Sequence, residues 1–90
     1  MKKPEIIAAI NRKVDGTNYD IWIIGLTHDL AESKKFWAGA GIVPITHWKD
    51  WQAESLTDAQ EIETYFVGKG TKSGTGRNLS SRRPVYVYIF

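Results

Sequence analysis

The run Ile21-Trp22-Ile23-Ile24 is the most apolar stretch of this 90-residue chain, and it ends at Gly25. Three isoleucines and a tryptophan in four positions leave no polar face, so a strand here has to be covered on both sides. A run this short and this β-branched reads as a central strand, over residues 18–26. Tyr19, Ile21 and Ile23 would point to one face, Trp22 and Ile24 to the other. Thr27-His28 breaks the run, and Asp29 suits the N-cap of a following helix. The rest of the chain then serves as cover for this strand.

A first helix is expected from Pro4, a residue suited to the first helical turn. Its apolar stripe is Ile6, Ile7, Ile10 and Val14, and Asp15-Gly16 stops it. A second helix is expected over residues 30–38, ended by Gly39 and Gly41. Helical spacing turns Leu30, Ser33 and the aromatics Phe36 and Trp37 inward, with Lys34 at the stripe's edge. Residues 46–53 read as a strand. Trp48 and Trp51, three apart, cannot share a face of a regular strand, so a bulge intervenes or one ring is partly exposed. For the third helix, Thr57 with Gln60 forms a capping-box pattern and Ser55 competes as N-cap. Leu56, Ala59, Ile62 and Phe66 make its stripe, and Gly68 and Gly70 end it. The segment at about 69–83 is rich in Gly, Ser and basic residues, and a loop this long in so small a domain is expected to be functional or mobile. Pro84 opens a last strand in which Val85, Val87 and Ile89 alternate with Tyr86, Tyr88 and Phe90. The order predicts one α+β domain over residues 1–90, a three-stranded, mainly antiparallel sheet with three helices packed against it. A strand at the C-terminus would lie at a sheet edge and could pair between chains.

The absence of cysteine excludes a disulfide framework, thiolate chemistry and cysteine-based zinc sites. No run approaches the roughly 20 apolar residues of a membrane span. The N-terminus resembles a signal peptide only in its lysines, so a cytoplasmic protein without membrane partners is expected. Charge is divided unevenly. Residues 1–63 carry seven Lys/Arg and all ten Asp/Glu, whereas residues 64–90 carry five Lys/Arg and no acid. Such a split suggests an anionic partner for the C-terminal part. Glu63 falls inside the apolar stripe of the third helix while Glu61 falls on its solvent face. A carboxylate on the buried side requires a hydrogen bond, an ion pair or a metal. His28 and Asp29, at the end of the central strand, could add hard ligands to Glu63. The glycines of residues 70–76 with Lys72 and Arg77 could wrap a phosphate backbone, although no P-loop pattern is present.

Three of these pieces together resemble the GIY-YIG nuclease family. Ile23-Ile24-Gly25 followed by LTHDLAESKKFW is similar to that family's second motif, a strand ending in Gly, a T-x-D-L turn and a helix. Glu63, in DAQEIETYF, resembles its metal-binding glutamate. The resemblance implies a small α+β domain and divalent-metal-dependent hydrolysis of DNA, with Mg2+ or Mn2+ bound at Glu63. The motif's tyrosine falls here on Ile23 and its arginine on Ser33. The family's first-motif strand is absent from the N-terminus. Tyr86 or Tyr88 of the last strand would stand in for it if that strand pairs beside residues 21–24. Charge positioned at the transition state carries most phosphoryl-transfer catalysis. A degenerate, non-catalytic module of phage, mobile-element or bacterial origin is therefore expected, binding nucleic acid through Lys34, Lys35, Lys69, Lys72, Arg77, Arg82 and Arg83. The alternatives are an endonuclease using Glu63, and a protein-interaction or inhibitor module using an exposed Trp48 or Trp51.

Overall fold

The computed structural model describes residues 1–41, 45–75 and 79–90. Among them the chain forms α1 (Lys3–Val14), a 3-10 turn (Tyr19–Ile21), β1 (Ile23–Thr27) and α2 (Leu30–Ala40). These are followed by β2 (Lys49–Gln52), α3 (Leu56–Lys69), β3 (Lys72–Ser73) and β4 (Tyr86–Ile89). The α+β class and the three helices agree with the sequence. The sheet differs: it is four-stranded and mixed, in the order β2-β4-β1-β3. β1 and β2 each run antiparallel to β4, while β1 and β3 are parallel.

The apolar run does organise the fold, but its strand starts later than the sequence suggested. Tyr19–Ile21 turns as a 3-10 helix, and this leaves Ile21 exposed. β1 pairs with β3 at Ile23 and Ile24 and with β4 over Ile24–Thr27. Ile24 and Leu26 face a core built with α1 and α3, which contribute Ile6, Ile10, Val14, Ala59, Ile62 and Phe66. Ile23 faces the other side, where it packs with Tyr88, Phe90, Trp37 and Trp48. Trp22, just before the strand, joins Ile24 on the α1/α3 side. The layers are therefore α1 with α3, then the sheet, then α2.

β4 alternates as its sequence does. Val85, Val87 and Ile89 enter the α1/α3 core, and Tyr88 and Phe90 face α2. It is an interior strand, with both edges paired, so it offers no free edge to a second chain. The exposed sheet edges belong to β2 and β3. β3 falls inside the segment expected to be an unstructured loop. Two backbone bonds place it there: Lys72 N–H to Trp22 O at 3.0 Å and Gly74 N–H to Ile24 O at 2.7 Å.

Two local features resolve differently from their patterns. Ser55, and not Thr57, caps α3, accepting the Asp58 N–H at 3.0 Å. The helix passes through Gly68 and stops at Gly70, whose φ of 120° places it where a side chain is disfavoured. Trp48 precedes β2 and stacks on Tyr88 with centroids 4.6 Å apart, whereas Trp51 packs against the α1/α3 core. They occupy opposite faces of the sheet, and both are half-buried. Neither is the exposed tryptophan that a protein interface was expected to use.

Candidate functional site

β1 ends at Thr27, and its C-terminal corner forms one side of a concave surface. The Thr27 hydroxyl gathers this corner. It accepts the Asp29 N–H at 3.0 Å and the Ser33 hydroxyl at 2.7 Å. Asp29 then caps α2 by accepting the Glu32 N–H at 3.0 Å, as its sequence position predicted. The start of α2 is thereby tied to the strand, and Ser33 is turned inward.

Between this corner and the turn leading into β4 lies a cleft of about 500 Å3. One wall carries Asp29, Glu32, Ser33, Phe36 and Trp37 from α2. The facing wall carries Leu79 and Arg83, and Leu26, Thr27, Gly74 and Tyr88 form the floor. The sequence turned Phe36 inward with Trp37. Only Trp37 is held there, by donating its Nε1–H to the Tyr88 hydroxyl at 3.0 Å. Phe36 is 64% exposed at the cleft's rim, the most exposed large apolar side chain among the described residues. Its place one helical step from Trp37, on the opposite edge of the stripe from Lys34, was the only signal in the sequence.

Tyr88 is central to the floor. Its ring lies over Gly25, and its hydroxyl donates to Gly74 O at 3.2 Å. Burial pushes the Tyr88 hydroxyl's pKa up. Donation from Trp37 opposes that shift, and the nearby Glu63 carboxylate adds to it. An acid whose folded-state pKa is raised stays protonated longer when folded. Its contribution is whole below the unfolded value and is lost as pH rises through the folded one. Wild type is expected to lose more stability than Tyr88→Phe between about pH 9 and about pH 11, on either side of the ordinary tyrosine value. Urea unfolding at both pH values measures this, and equal losses would contradict it.

Glu63 lies on the inward side of α3, as its spacing indicated, but outside the cleft. Its Oε2 accepts the Ser73 hydroxyl at 3.0 Å and the Thr75 hydroxyl. The Thr75 oxygen in turn accepts the Leu26 N–H at 2.9 Å, two residues past the end of the β1–β3 pairing. Glu63 thus closes a chain that satisfies the edge of β1 and fixes the segment after β3. Among the described residues no three His, Asp or Glu side chains are grouped to hold an ion. His28 and Asp29 do not join Glu63, because Asp29 caps α2 and both His28 ring nitrogens are taken by backbone groups. Tyr86 is one alternation from Tyr88 on β4, opposite Thr27 and Gln52, and does not line the cleft.

The expected cationic residues form two groups. Arg83, on the turn opposite α2, lines the cleft; Lys34 and Lys35 on α2 and Arg82 beside Arg83 are exposed but are not among its lining residues. Lys69 and Lys72 lie at the other end of β1, where Lys72 is paired with Ile23. The two ends of β1 are roughly 13 Å apart. Arg77 lies outside the described residues. Lys34 rests 5.6 Å from the Trp48 ring centroid, and Lys69 rests 5.1 Å from that of Tyr65. Among the described residues the one ion pair is Lys3–Glu61, which involves none of these cations. Of the glycines expected to wrap a phosphate, Gly76 lies outside the described residues. Gly70 ends α3, and Gly74 packs so closely that a Cβ there would lie 2.9 Å from Ile23 and 3.0 Å from Trp37.

Compared with protein-family models, with curated proteins and with solved structures, the chain matches none.

Proposed function

We propose that this chain is a GIY-YIG-like module that binds single-stranded nucleic acid, DNA in the first instance, without efficient cleavage. The observation that carries this reading is the cleft at the end of β1. It presents an exposed Phe36 beside Trp37 on one wall and Arg83 on the other, and Lys34, Lys35 and Arg82 are exposed on the two elements that carry those walls. Aromatic faces open to solvent stack with unpaired bases, and unpaired cations beside them follow the phosphates. The antiparallel pairing of β4 with β1, and the bonds joining Ile23 to Phe90, support the idea that the last strand fills the place of the missing first-motif strand. Tyr88 then occupies the tyrosine position. Ser33 at the arginine position and the engagement of Glu63 by two hydroxyls argue for binding over hydrolysis.

Fluorescence anisotropy of a labelled single strand and a labelled duplex tests the proposal. The single strand is expected to bind with micromolar affinity at about 50 mM salt and to weaken about tenfold or more by about 200 mM. The duplex should bind more weakly, because its bases are already stacked. Absence of binding to either at low salt would end the nucleic-acid reading. Adding Mg2+ or Mn2+ to the same samples tests the endonuclease alternative, which requires nicking that is abolished in Glu63→Gln.

A further inference from the structure

We propose that His28, in its neutral Nδ1–H tautomer, positions the Arg83-bearing wall of the cleft, and that protonation of its ring releases that wall. The effect on ligand rests on the nucleic-acid reading above; the latch itself rests on hydrogen bonds alone.

Ser80 N–H donates to His28 Nε2 at 2.8 Å, so this nitrogen must carry a lone pair. His28 Nδ1 lies 2.7 Å from Pro84 O, which can only accept, so Nδ1 must carry the proton. One imidazole on the β1–α2 corner therefore holds both ends of the Ser80–Pro84 turn. Within the turn, Arg82 N–H donates to Ser80 Oγ at 3.1 Å and Arg83 N–H to Ser80 O at 3.4 Å. Arg83 is carried between the two held points, and Leu79 directly precedes them. The ring supplies one acceptor and one donor to a segment more than 50 residues away in sequence, and only the neutral form has both. A protonated ring has two N–H donors and no acceptor, so the Ser80 N–H would face a donor. The charged and titratable groups that line the cleft with His28 are Asp29 and Glu32 of α2, Arg83 of the turn and Tyr88 of β4. His47 is elsewhere, against Trp22.

The sign of the expected effect separates the latch from bulk electrostatics. Acidification adds positive charge, which by itself tightens phosphate binding. Release of the Arg83 wall acts in the opposite direction.

The test uses the full chain, isotopically labelled, at about pH 8 and about pH 5 and constant ionic strength. The ring-nitrogen shifts of His28 and the protection factor of the Ser80 amide are followed by NMR, and a labelled single-stranded oligonucleotide is titrated under the same conditions. At the higher pH, Nε2 should be unprotonated. On acidification, Ser80 protection and oligonucleotide affinity should each fall roughly tenfold, as loss of one or two such hydrogen bonds implies. His28→Gln offers one donor and one acceptor at similar spacing but does not titrate. It should retain binding with a flat pH profile, whereas His28→Ala should be weaker at both pH values. A proton on Nε2 at the higher pH, or Ser80 protection unchanged through the ring's titration, would overturn the latch. If the ring and Ser80 behave as expected but the oligonucleotide binds at neither pH, the latch stands and the nucleic-acid reading falls.

Discussion

Gly25→Ala is expected to cost about 3 kcal/mol of folding free energy, near the upper end for overpacking a core. A Cβ built on Gly25 would lie 2.3 Å from the Tyr88 hydroxyl, 2.4 Å from its Cζ and 2.9 Å from its Cε2. The ring cannot easily move away. Trp48 stacks on it with the planes 7° apart, Trp37 donates to its hydroxyl, and Gly74 accepts from it. β1 cannot easily shift either, since Gly25 is paired with Tyr88 on β4 and the preceding Ile24 is also paired with Ser73 on β3. A chain of this size has a total stability on the order of 5–15 kcal/mol, so the loss is a large fraction of the whole. Urea unfolding measures it. In a Tyr88→Ala background the obstruction is gone, and Gly25→Ala should cost less than about 1 kcal/mol. Wild-type stability in the single variant, or an equal cost in both backgrounds, would mean that the ring does not lie over Gly25.

Phe66→Ala is expected to cost about 3–5 kcal/mol, as full truncation of a buried aromatic does. Phe66 has no exposed surface and sits in the α1/α3 core. The Tyr19 ring lies 6.3 Å from it and the Tyr65 ring 4.9 Å. Both neighbours are tied elsewhere, Tyr19 by donating to Asn11 at 3.0 Å and Tyr65 under Lys69, so the cavity can collapse only in part. The counterpart is Phe36→Ala, which removes a ring of the same size from solvent and should change stability by no more than about 0.5 kcal/mol. A loss below about 1 kcal/mol for Phe66→Ala in urea unfolding would contradict the assigned core.

The contrast between these two phenylalanines explains what the sequence could and could not reveal. Wherever burial repeats with the period of an element, the pattern was visible. The α1 stripe, the inward face of α3, the doubly covered β1 and the alternation of β4 were all recognisable from residue spacing alone. β3 was hidden because its two residues, Lys72 and Ser73, are exposed and polar; backbone bonds to Trp22 and Ile24 define it, and side chains leave no trace of them. Phe36 was misplaced because helical spacing fixes its angle on α2 but not the neighbours that the sheet supplies. Glu63 was located correctly, yet its partners come from Ser73 and Thr75, across a turn whose path no local pattern predicts. The role of His28 depends on Ser80 and Pro84, and only the folded chain brings these together.

The central claim is that the cleft at the C-terminal end of β1, and not the basic group at its other end, is where the ligand binds. The most direct measurement is the affinity of a labelled single-stranded oligonucleotide for two double variants, by anisotropy at fixed low salt. Phe36→Ala with Arg83→Ala removes one stacking face and one phosphate contact from the cleft, and should weaken binding more than about tenfold. Lys69→Ala with Lys72→Ala removes two exposed charges from the other end of β1, and should weaken it less than about threefold. The reverse order, or equal losses from the two variants, would contradict the assignment of the cleft.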